Sequence, residues 1–376
     1  MIPRQPFTFD DGSRGICYNE IIMDNIRGAL DRLTAGGDLW ESDSEGKGWC
    51  LACAHRCHIS PGNRGICQVR FNETGKLRVP WGYVAGLHPD PIEKKPFAHF
   101  LPGAKALTFG MLGCNLRCDF CQNWQTSQTL KDSRAEAFGG YIEKMNADEV
   151  VSLAIQTGSE VIASSYNEPL ITSEWAVEVF CQARQQGIRT VYVSNGFASP
   201  EAMDYLQPWL DGIKIDLKAM NEKSYRDLGG RLQPVLDTIR TAREKGMWVE
   251  VVTLLIPGLN DDLQELWDLA SFLVSVSRDI PWHVTAYHPD YKRFENPPTI
   301  AADLQKAADI AQEAGLRYVY AGNLPGRVGS LEDTHCPGCG TAVIRRRGYA
   351  ILGNTITTEG KCLDCGESIA GFWRKE

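Results

Sequence analysis

The 376-residue sequence lacks a hydrophobic run long enough to cross a bilayer, which would take about 20 consecutive apolar residues. It also lacks an apolar segment of signal-peptide length at its start, because two prolines and an arginine interrupt residues 1–7. Positive charge is scarce, with 39 lysines and arginines against 47 aspartates and glutamates, for a formal net charge of −8. Since phosphate recognition needs a basic surface, these absences predict a cytoplasmic protein that binds neither membrane nor nucleic acid.

Cysteine, in contrast, is abundant, with 13 residues. The thiol pool of the cytoplasm keeps cysteines reduced, so we expect most of them to be metal ligands and not disulfides. They form three groups, from which Cys17 and Cys181 stand apart as ordinary small apolar residues.

The central group is Cys114, Cys118 and Cys121, separated by three and two residues. Three thiolates can hold a [4Fe–4S] cluster and leave one iron open, which can chelate the amino and carboxylate groups of S-adenosylmethionine and pass it an electron. A zinc site with a distant fourth ligand is the alternative. Residues 104–112 read as a buried strand, and Gly113 can turn the chain into a loop at the strand's end, where open α/β folds place their chemistry.

The first group, Cys50, Cys53, Cys57 and Cys67, lies within eighteen residues. Four such cysteines can converge on one tetrahedral zinc ion or on one auxiliary iron–sulfur cluster, and the spacing favours neither metal.

The third group consists of two knuckles, each followed directly by a glycine: Cys336, Cys339 and then Cys362, Cys365. Paired knuckles on either side of a hairpin-like stretch predict a zinc ribbon, in which the metal replaces a hydrophobic core too small to fold alone.

Between the triplet and the ribbon, strand-like and helix-like segments alternate. The predicted strands are 104–112, 160–165, 188–194, 211–217, 247–256, 282–287 and 317–321, and the predicted helices include 173–186, 232–245, 261–276 and 301–313. The alternation predicts an α/β fold, a partial, TIM-like (β/α)6 barrel of parallel strands. The expected domains are an N-terminal cysteine-rich module over 1–100, the barrel over 101–328, and the zinc-ribbon-like module over 329–376.

The triplet, with Phe120 in the aromatic place before its last cysteine, resembles the signature of the radical S-adenosylmethionine (radical SAM) superfamily. The segments that end successive predicted strands are similar to those of pyruvate formate-lyase activating enzymes: 165–169, 194–196, 216–218, 255–261 and 286–289. A closer likeness, to the relatives known as AmmeMemoRadiSam system radical SAM enzymes, covers nearly the whole chain. It is carried by four stretches: the first cysteine group and residues 90–96, 121–124 and 320–326.

This resemblance implies roles at the cofactor for individual residues. Glu168, helped by Asn167, would accept hydrogen bonds from the methionyl ammonium group. Lys218 would meet the carboxylate, with Asp216 orienting it. The remaining implied contacts are Ser194 and Asn195 at the ribose, with Phe120 and His288 also in the cofactor site.

Two departures restrict what the resemblance carries over. Val193 stands where some activating enzymes have an aspartate at a cation site, so no such cation is expected. No cysteine occurs between Cys121 and Cys181, so the ferredoxin-like insert of other members is absent.

The implied activity is reductive cleavage of S-adenosylmethionine to a 5′-deoxyadenosyl radical, which abstracts hydrogen from a protein or peptide, as a glycyl-radical activating enzyme does. An external one-electron donor such as flavodoxin or ferredoxin would be needed. The alternatives are a radical SAM enzyme that modifies a side chain or small molecule, and a zinc-dependent binding or scaffold protein without redox chemistry.

Overall fold

The computed structural model describes residues 26–136 and 142–374. Cys17 and the rest of residues 1–25, which belong to the predicted N-terminal module, lie outside that range, so the expectation for Cys17 is not addressed. The strands are β1 Thr34–Gly36, β2 Trp40–Ser42, β3 Gly48–Cys50, β4 His58–Ile59, β5 Phe71–Glu73, β6 Lys76–Pro80, β7 Tyr83–Val84, β8 Gly86–Pro91, β9 Lys105–Gly110, β10 Glu143–Lys144, β11 Val161–Ser164, β12 Arg189–Ser194, β13 Gly212–Asp216, β14 Trp248–Leu255, β15 Trp282–Ala286, β16 Val319–Gly322, β17 Thr334–His335, β18 Ala342–Arg347 and β19 Ala350–Asn354.

Most of the long strands belong to one eight-stranded sheet with the order β16-β15-β14-β13-β12-β11-β9-β8. Seven of these strands run parallel: β9, β11, β12, β13, β14, β15 and β16. The eighth, β8, pairs antiparallel with β9 at one edge. Every residue of β11 and of β15 is buried, as expected for parallel strands that are covered on both faces. The predicted α/β class is confirmed, and each of the seven predicted strands overlaps a strand of this sheet.

Helices lie between successive parallel strands, and one more helix precedes β1. Their bounds are α1 Ile26–Arg32, α2 Trp124–Ser127, α3 Ser133–Glu136, α4 Ala147–Gln156, α5 Ser173–Gln185, α6 Pro200–Leu206, α7 Glu222–Asp227, α8 Leu232–Glu244, α9 Leu263–Val276 and α10 Ala301–Ala314, with short 3-10 turns at Ile92–Lys94, Pro169–Thr172 and Gly329–Glu332. Local sequence determines several ends. Asn146 and Glu149 form a capping box at the start of α4, and Gly315 ends α10 with a φ of +104° that favours glycine.

Residues 34–80 form two small antiparallel sheets, β1-β6-β5 and β2-β3-β4. Their apolar side chains, among them Leu39, Ile59 and Val79, pack against Ala202 on α6. A buried ion pair adds to this attachment, because the Arg70 guanidinium donates two hydrogen bonds, at 2.6 and 2.7 Å, to the Glu174 carboxylate on α5. The small sheets are therefore anchored to the helices that follow β11 and β12.

The C-terminal strands, β17 to β19, attach at the opposite end of the sheet, beside the first residues of β14, β15 and β16. There the buried Glu250 carboxylate accepts hydrogen bonds from the backbone N–H groups of Ala98 and His99 at 2.8 and 2.9 Å, from Trp248 Nε1 at 2.9 Å and from His283 Nε2 at 2.6 Å. The predicted domain boundaries at 100 and 328 stay a prediction.

Tyr320 continues this network into the C-terminal strands. Its hydroxyl lies 2.5 Å from His99 Nε2 and 2.8 Å from Thr334 Oγ1. Burial lowers the pKa of His99 to about 4, so its ring is neutral at pH 7. In the part of the chain that the structure describes, no helix is both long and apolar enough for a transmembrane segment.

Glu250→Ala should lower the free energy of unfolding by about 3 to 5 kcal/mol, because it strands buried donors at the junction with the C-terminal strands. Burial would raise the pKa of Glu250, but the hydrogen bond and charge of His283 outweigh it and hold that pKa below its ordinary value. The stabilisation is therefore present above the unfolded-state pKa and is lost as the pH falls through the folded one.

Denaturant unfolding of both proteins measures the difference. The exposed Glu244→Ala serves as a matched control and should change stability by no more than about 0.5 kcal/mol. Equal stability of the two variants would contradict the role assigned to Glu250.

Candidate active site

The central cysteines lie in a loop that follows β9, at the carboxyl end of the sheet. Gly113 turns the chain into this loop with a φ of +98°, and its N–H donates to the Thr126 carbonyl at 2.9 Å. A Cβ at this position would lie 2.9 Å from Val69 Cγ1 and 3.2 Å from Ile171 Cδ1. Glycine is therefore required both for the backbone conformation and for the close approach of the N-terminal module.

The three thiols are enclosed by the loop itself. Cys118 is buried, and Cys114 and Cys121 are partly buried. Burial raises the pKa of Cys118 to about 12 and raises the pKa of Cys114 and Cys121 as well, so an iron–sulfur centre would displace their protons on binding. The Leu116 N–H donates to Cys114 Sγ at 3.4 Å, and Ser127 Oγ lies 3.2 Å from Cys121 Sγ.

Asn115 provides a test of whether a cluster fits here. Its Oδ1 accepts a hydrogen bond from Asn195 Nδ2 at 2.7 Å, whereas its own Nδ2 is buried and has no partner among the described residues. An unmet buried donor is costly. The sulfides of a cluster held by the adjacent Cys114 can accept this N–H, so the donor set and its surroundings fit an iron–sulfur centre.

Glu168 lies between the ends of β11 and β12. Its Oε1 accepts from Ser194 Oγ at 2.7 Å and from the Leu170 N–H at 3.1 Å, and its Oε2 accepts from the Asn195 N–H at 2.8 Å. Burial raises the pKa of Glu168 to about 7, although these hydrogen bonds oppose the shift. The Ser194 hydroxyl, predicted at a ribose, is thus directed to Glu168 in this structure.

Asp216 and Lys218 follow at the end of β13, where a third residue, Lys214, joins them. Lys218 Nζ lies 3.3 Å from one Asp216 oxygen, and Lys214 Nζ binds the other. Burial would raise the pKa of Asp216, but the two lysines outweigh it and lower that pKa to about 2. Burial would lower the pKa of Lys218, but the Asp216 carboxylate outweighs it and raises that pKa.

The other predicted cofactor residues surround this group. Asn167 Oδ1 accepts from the Met111 N–H at 3.0 Å, Phe120 is buried in the main core, and His288 is exposed with its Nε2 3.1 Å from Gln122 Nε2. The structure thus places all eight predicted residues around the cysteine loop, and their roles stay predictions.

Sequence reasoning missed two lysines of the site. Lys214 lies two residues before Asp216, and the period-two alternation of a strand could have placed both on one face. Lys131 binds the Cys114 carbonyl at 2.5 Å and the Leu116 carbonyl at 3.2 Å. It lies in a polar stretch without any motif, so no sequence signal marks it.

The four C-terminal cysteines meet at one point. Their sulfurs all lie within 4.8 Å of one another, with Cys336 3.5 Å from Cys365 and Cys339 3.7 Å from Cys362. The glycines after the second cysteine of each knuckle both have a φ of +77°, which explains their place in the motif. This quartet can hold one metal ion.

The N-terminal quartet begins at Cys50, the last residue of β3, and ends at Cys67, after β4. Cys50, Cys53 and Cys67 are buried and Cys57 is partly buried. The Cys50 N–H donates to the Cys57 carbonyl at 2.9 Å, and the N–H of Ile66, which adjoins Cys67, donates to Cys57 Sγ at 3.4 Å, so these cysteines lie near one another. Burial raises the pKa of Cys53, and the charges of the other three thiolates raise it further.

A sequence model described as the radical SAM superfamily matches residues 109–273. An uncharacterized protein of Methanocaldococcus jannaschii is 36% identical over 334 residues, covering 88% of this chain and 97% of that protein. A pyruvate formate-lyase-activating enzyme of Listeria monocytogenes is 26% identical over 50% of this chain and 76% of that enzyme. The crystal structure of Streptococcus suis SuiB bound to precursor peptide SuiA is similar with a TM-score of 0.46 and 15% identity, over 62% of this chain and 51% of that one.

Gly113→Ala should reduce the iron that the purified protein retains, because the left-handed backbone costs about 1 to 2 kcal/mol and the new methyl group displaces Val69 from the loop. Gly158→Ala is the matched control, since Gly158 also has a positive φ, +65°, but a Cβ there would meet nothing within 4 Å. Iron analysis after anaerobic reconstitution measures the effect. Equal iron in both variants would show that the packing of Gly113 does not matter to the site.

Proposed function

The chain belongs to the radical SAM superfamily and is a radical SAM enzyme, and we propose that it abstracts a hydrogen atom from a protein or peptide substrate. One observation carries the proposal. Three buried or partly buried thiols share the carboxyl ends of neighbouring parallel strands with the carboxylate of Glu168, the amide of Asn195 and the Asp216–Lys218 pair.

Cys114, Cys118 and Cys121 would hold a [4Fe–4S] cluster, which supplies the electron that cleaves bound S-adenosylmethionine to the 5′-deoxyadenosyl radical. Glu168, with one Oε2 lone pair still free, would accept a hydrogen bond from the methionyl amino group. Lys218 would bind the cofactor's carboxylate. Asp216, which also pairs with Lys214, fixes the position of the Lys218 ammonium group. We also propose that the parallel sheet curves into the partial barrel expected from the sequence, with these groups at its mouth.

The substrate proposal is supported by relatives that are named for activating pyruvate formate-lyase, itself a protein. Hydrogen would be taken from a backbone Cα, as a glycyl-radical activating enzyme does, with a flavodoxin or ferredoxin as electron donor. Modification of a side chain or small molecule is the second candidate. The scaffold hypothesis loses its basis, because the family of the chain is one of radical enzymes.

For the C-terminal quartet, we propose a structural zinc. One zinc with bonds of about 2.3 Å to four tetrahedral thiolates places the sulfurs about 3.8 Å apart, close to the observed 3.5 and 3.7 Å.

The anaerobic, dithionite-reduced enzyme should convert S-adenosylmethionine to 5′-deoxyadenosine, and alanine at Cys114, Cys118 or Cys121 should abolish the conversion. Cys181→Ala is the control and should remain active, because Cys181 lies on α5 outside the site. Chromatography of the nucleoside products measures the rate, and a wild-type rate in a variant that lacks all three of these cysteines would contradict the assignment.

Partner proteins labelled with deuterated glycine should transfer deuterium to 5′-deoxyadenosine, whereas transfer from a labelled small molecule alone would favour the second candidate.

Glu168→Gln should weaken binding of S-adenosylmethionine roughly ten- to a hundredfold, the effect of losing a charge-assisted hydrogen bond of about 1.5 to 3 kcal/mol. In the protein without cofactor, the raised pKa of about 7 means that the contribution of Glu168 to stability is present below its unfolded pKa and is lost as the pH rises through 7. Cofactor binding favours the ionised carboxylate.

Wild-type affinity should therefore fall as the pH drops below about 7, and Glu168→Gln should lose this dependence. Equilibrium binding from pH 6 to 8 measures both effects, with the exposed Glu178→Gln as control. An unchanged affinity of Glu168→Gln for S-adenosylmethionine would show that Glu168 has only a structural role.

Aerobic purification should bleach the iron absorption but leave the C-terminal zinc in place, because zinc has no redox chemistry and its thiolate shell is closed. Deletion of residues 330–376 should remove about one zinc equivalent per chain. Metal analysis of both proteins tests this, and acid-labile sulfide on the isolated C-terminal segment would show that it holds a cluster instead.

A further inference from the structure

The N-terminal quartet is built around sulfur acceptors. Arg70 Nε donates to Cys50 Sγ at 3.2 Å, and the Ile66 N–H donates to Cys57 Sγ at 3.4 Å. Arg70 is only 1% exposed, and Glu174 fixes its position through the ion pair described above. A buried cation and an amide directed at sulfur stabilise thiolate ligands, and neither is needed by a neutral thiol.

The distances between the sulfur atoms distinguish a zinc ion from an iron–sulfur cluster, the two alternatives that the sequence spacing left open. Within residues 26–136 and 142–374, the C-terminal quartet alone brings three or more candidate ligand atoms within 4.8 Å of one another. The N-terminal sulfurs are therefore more widely spaced than a single zinc requires, about 3.8 Å. A cubane cluster interposes a separate iron atom before each thiolate and needs this wider spacing.

The central triplet provides an internal comparison. Its sulfurs likewise do not all lie within 4.8 Å of one another, and this triplet has the signature of a [4Fe–4S] site. The described part of the chain thus contains two widely spaced cysteine groups and one tight quartet, and the N-terminal quartet is one of the two widely spaced groups.

We propose that Cys50, Cys53, Cys57 and Cys67 hold a second [4Fe–4S] cluster in which every iron has a protein thiolate. Because no iron is left open, this cluster cannot bind S-adenosylmethionine. It lies next to the cysteine loop that follows β9, since His55 Nε2 is 2.9 Å from the Asn115 carbonyl and Val69 leaves no room for a Cβ at Gly113. The proposal concerns metal content alone and does not depend on the substrate of the enzyme.

The test counts iron, sulfide and zinc after anaerobic reconstitution of the full chain. The wild-type protein should contain about eight iron, about eight sulfide and about one zinc. A variant with alanine at Cys114, Cys118 and Cys121 should retain about four iron and the absorption spectrum of one cluster, and it leaves the N-terminal module intact.

Two further variants serve as controls. Cys181→Ala should keep about eight iron, and Cys339→Ala should lose the zinc but keep the iron. About four iron with about two zinc in the wild-type protein, and no iron in the triple variant, would overturn the proposal in favour of an N-terminal zinc. The triple variant decides the question even if substitutions within the N-terminal quartet prevent folding.

Discussion

The arrangement of the site depends on one buried carboxylate, that of Glu168. It accepts hydrogen bonds from Ser194 and Asn195 at the end of β12, while its own N–H donates to the Gly113 carbonyl at 3.2 Å. Asn195 in turn binds Asn115, which adjoins Cys114. A single residue, through its side chain and its backbone N–H, therefore links two strand ends to the cysteine loop. Its pKa of about 7 indicates that burial is only partly compensated within the protein, and a bound amino group would complete the compensation.

The N-terminal and C-terminal modules attach to different parts of this arrangement. The N-terminal module packs against the cysteine loop through Val69 and His55, so its cysteines lie close to the carboxyl end of the sheet. The C-terminal strands attach at the other end, where the Tyr320 hydroxyl lies 2.8 Å from Thr334 Oγ1 and the Arg346 guanidinium donates to the Ala98 carbonyl at 2.7 Å. In both modules the strands are short and the apolar cores small, so thiolate–metal bonds would provide stability that burial alone cannot.

Much of the fold was predictable, because parallel strands buried on both faces leave continuous apolar runs and amphipathic helices leave a 3.6-residue period. The triplet was predictable from the spacing of its cysteines, and Glu168 from the resemblance of residues 165–169 to the corresponding segment of the superfamily. Lys131 was not, since a lone lysine takes its role from tertiary contacts with carbonyls. The distances between the sulfur atoms likewise could not be predicted from the sequence. The N- and C-terminal quartets both have the sequence spacing of metal sites, and they differ only in how the loops place the sulfurs.

The central claim is that three cysteines leave one iron open to the amino and carboxylate groups of S-adenosylmethionine. Electron–nuclear double resonance on the reduced protein, with cofactor labelled by 17O in its carboxylate and 15N in its amino group, tests this contact directly. Both nuclei should show hyperfine coupling to the cluster, and the coupling should be absent in the Cys114→Ala variant. A reduced, cofactor-saturated wild-type enzyme without coupling to either label would contradict the account.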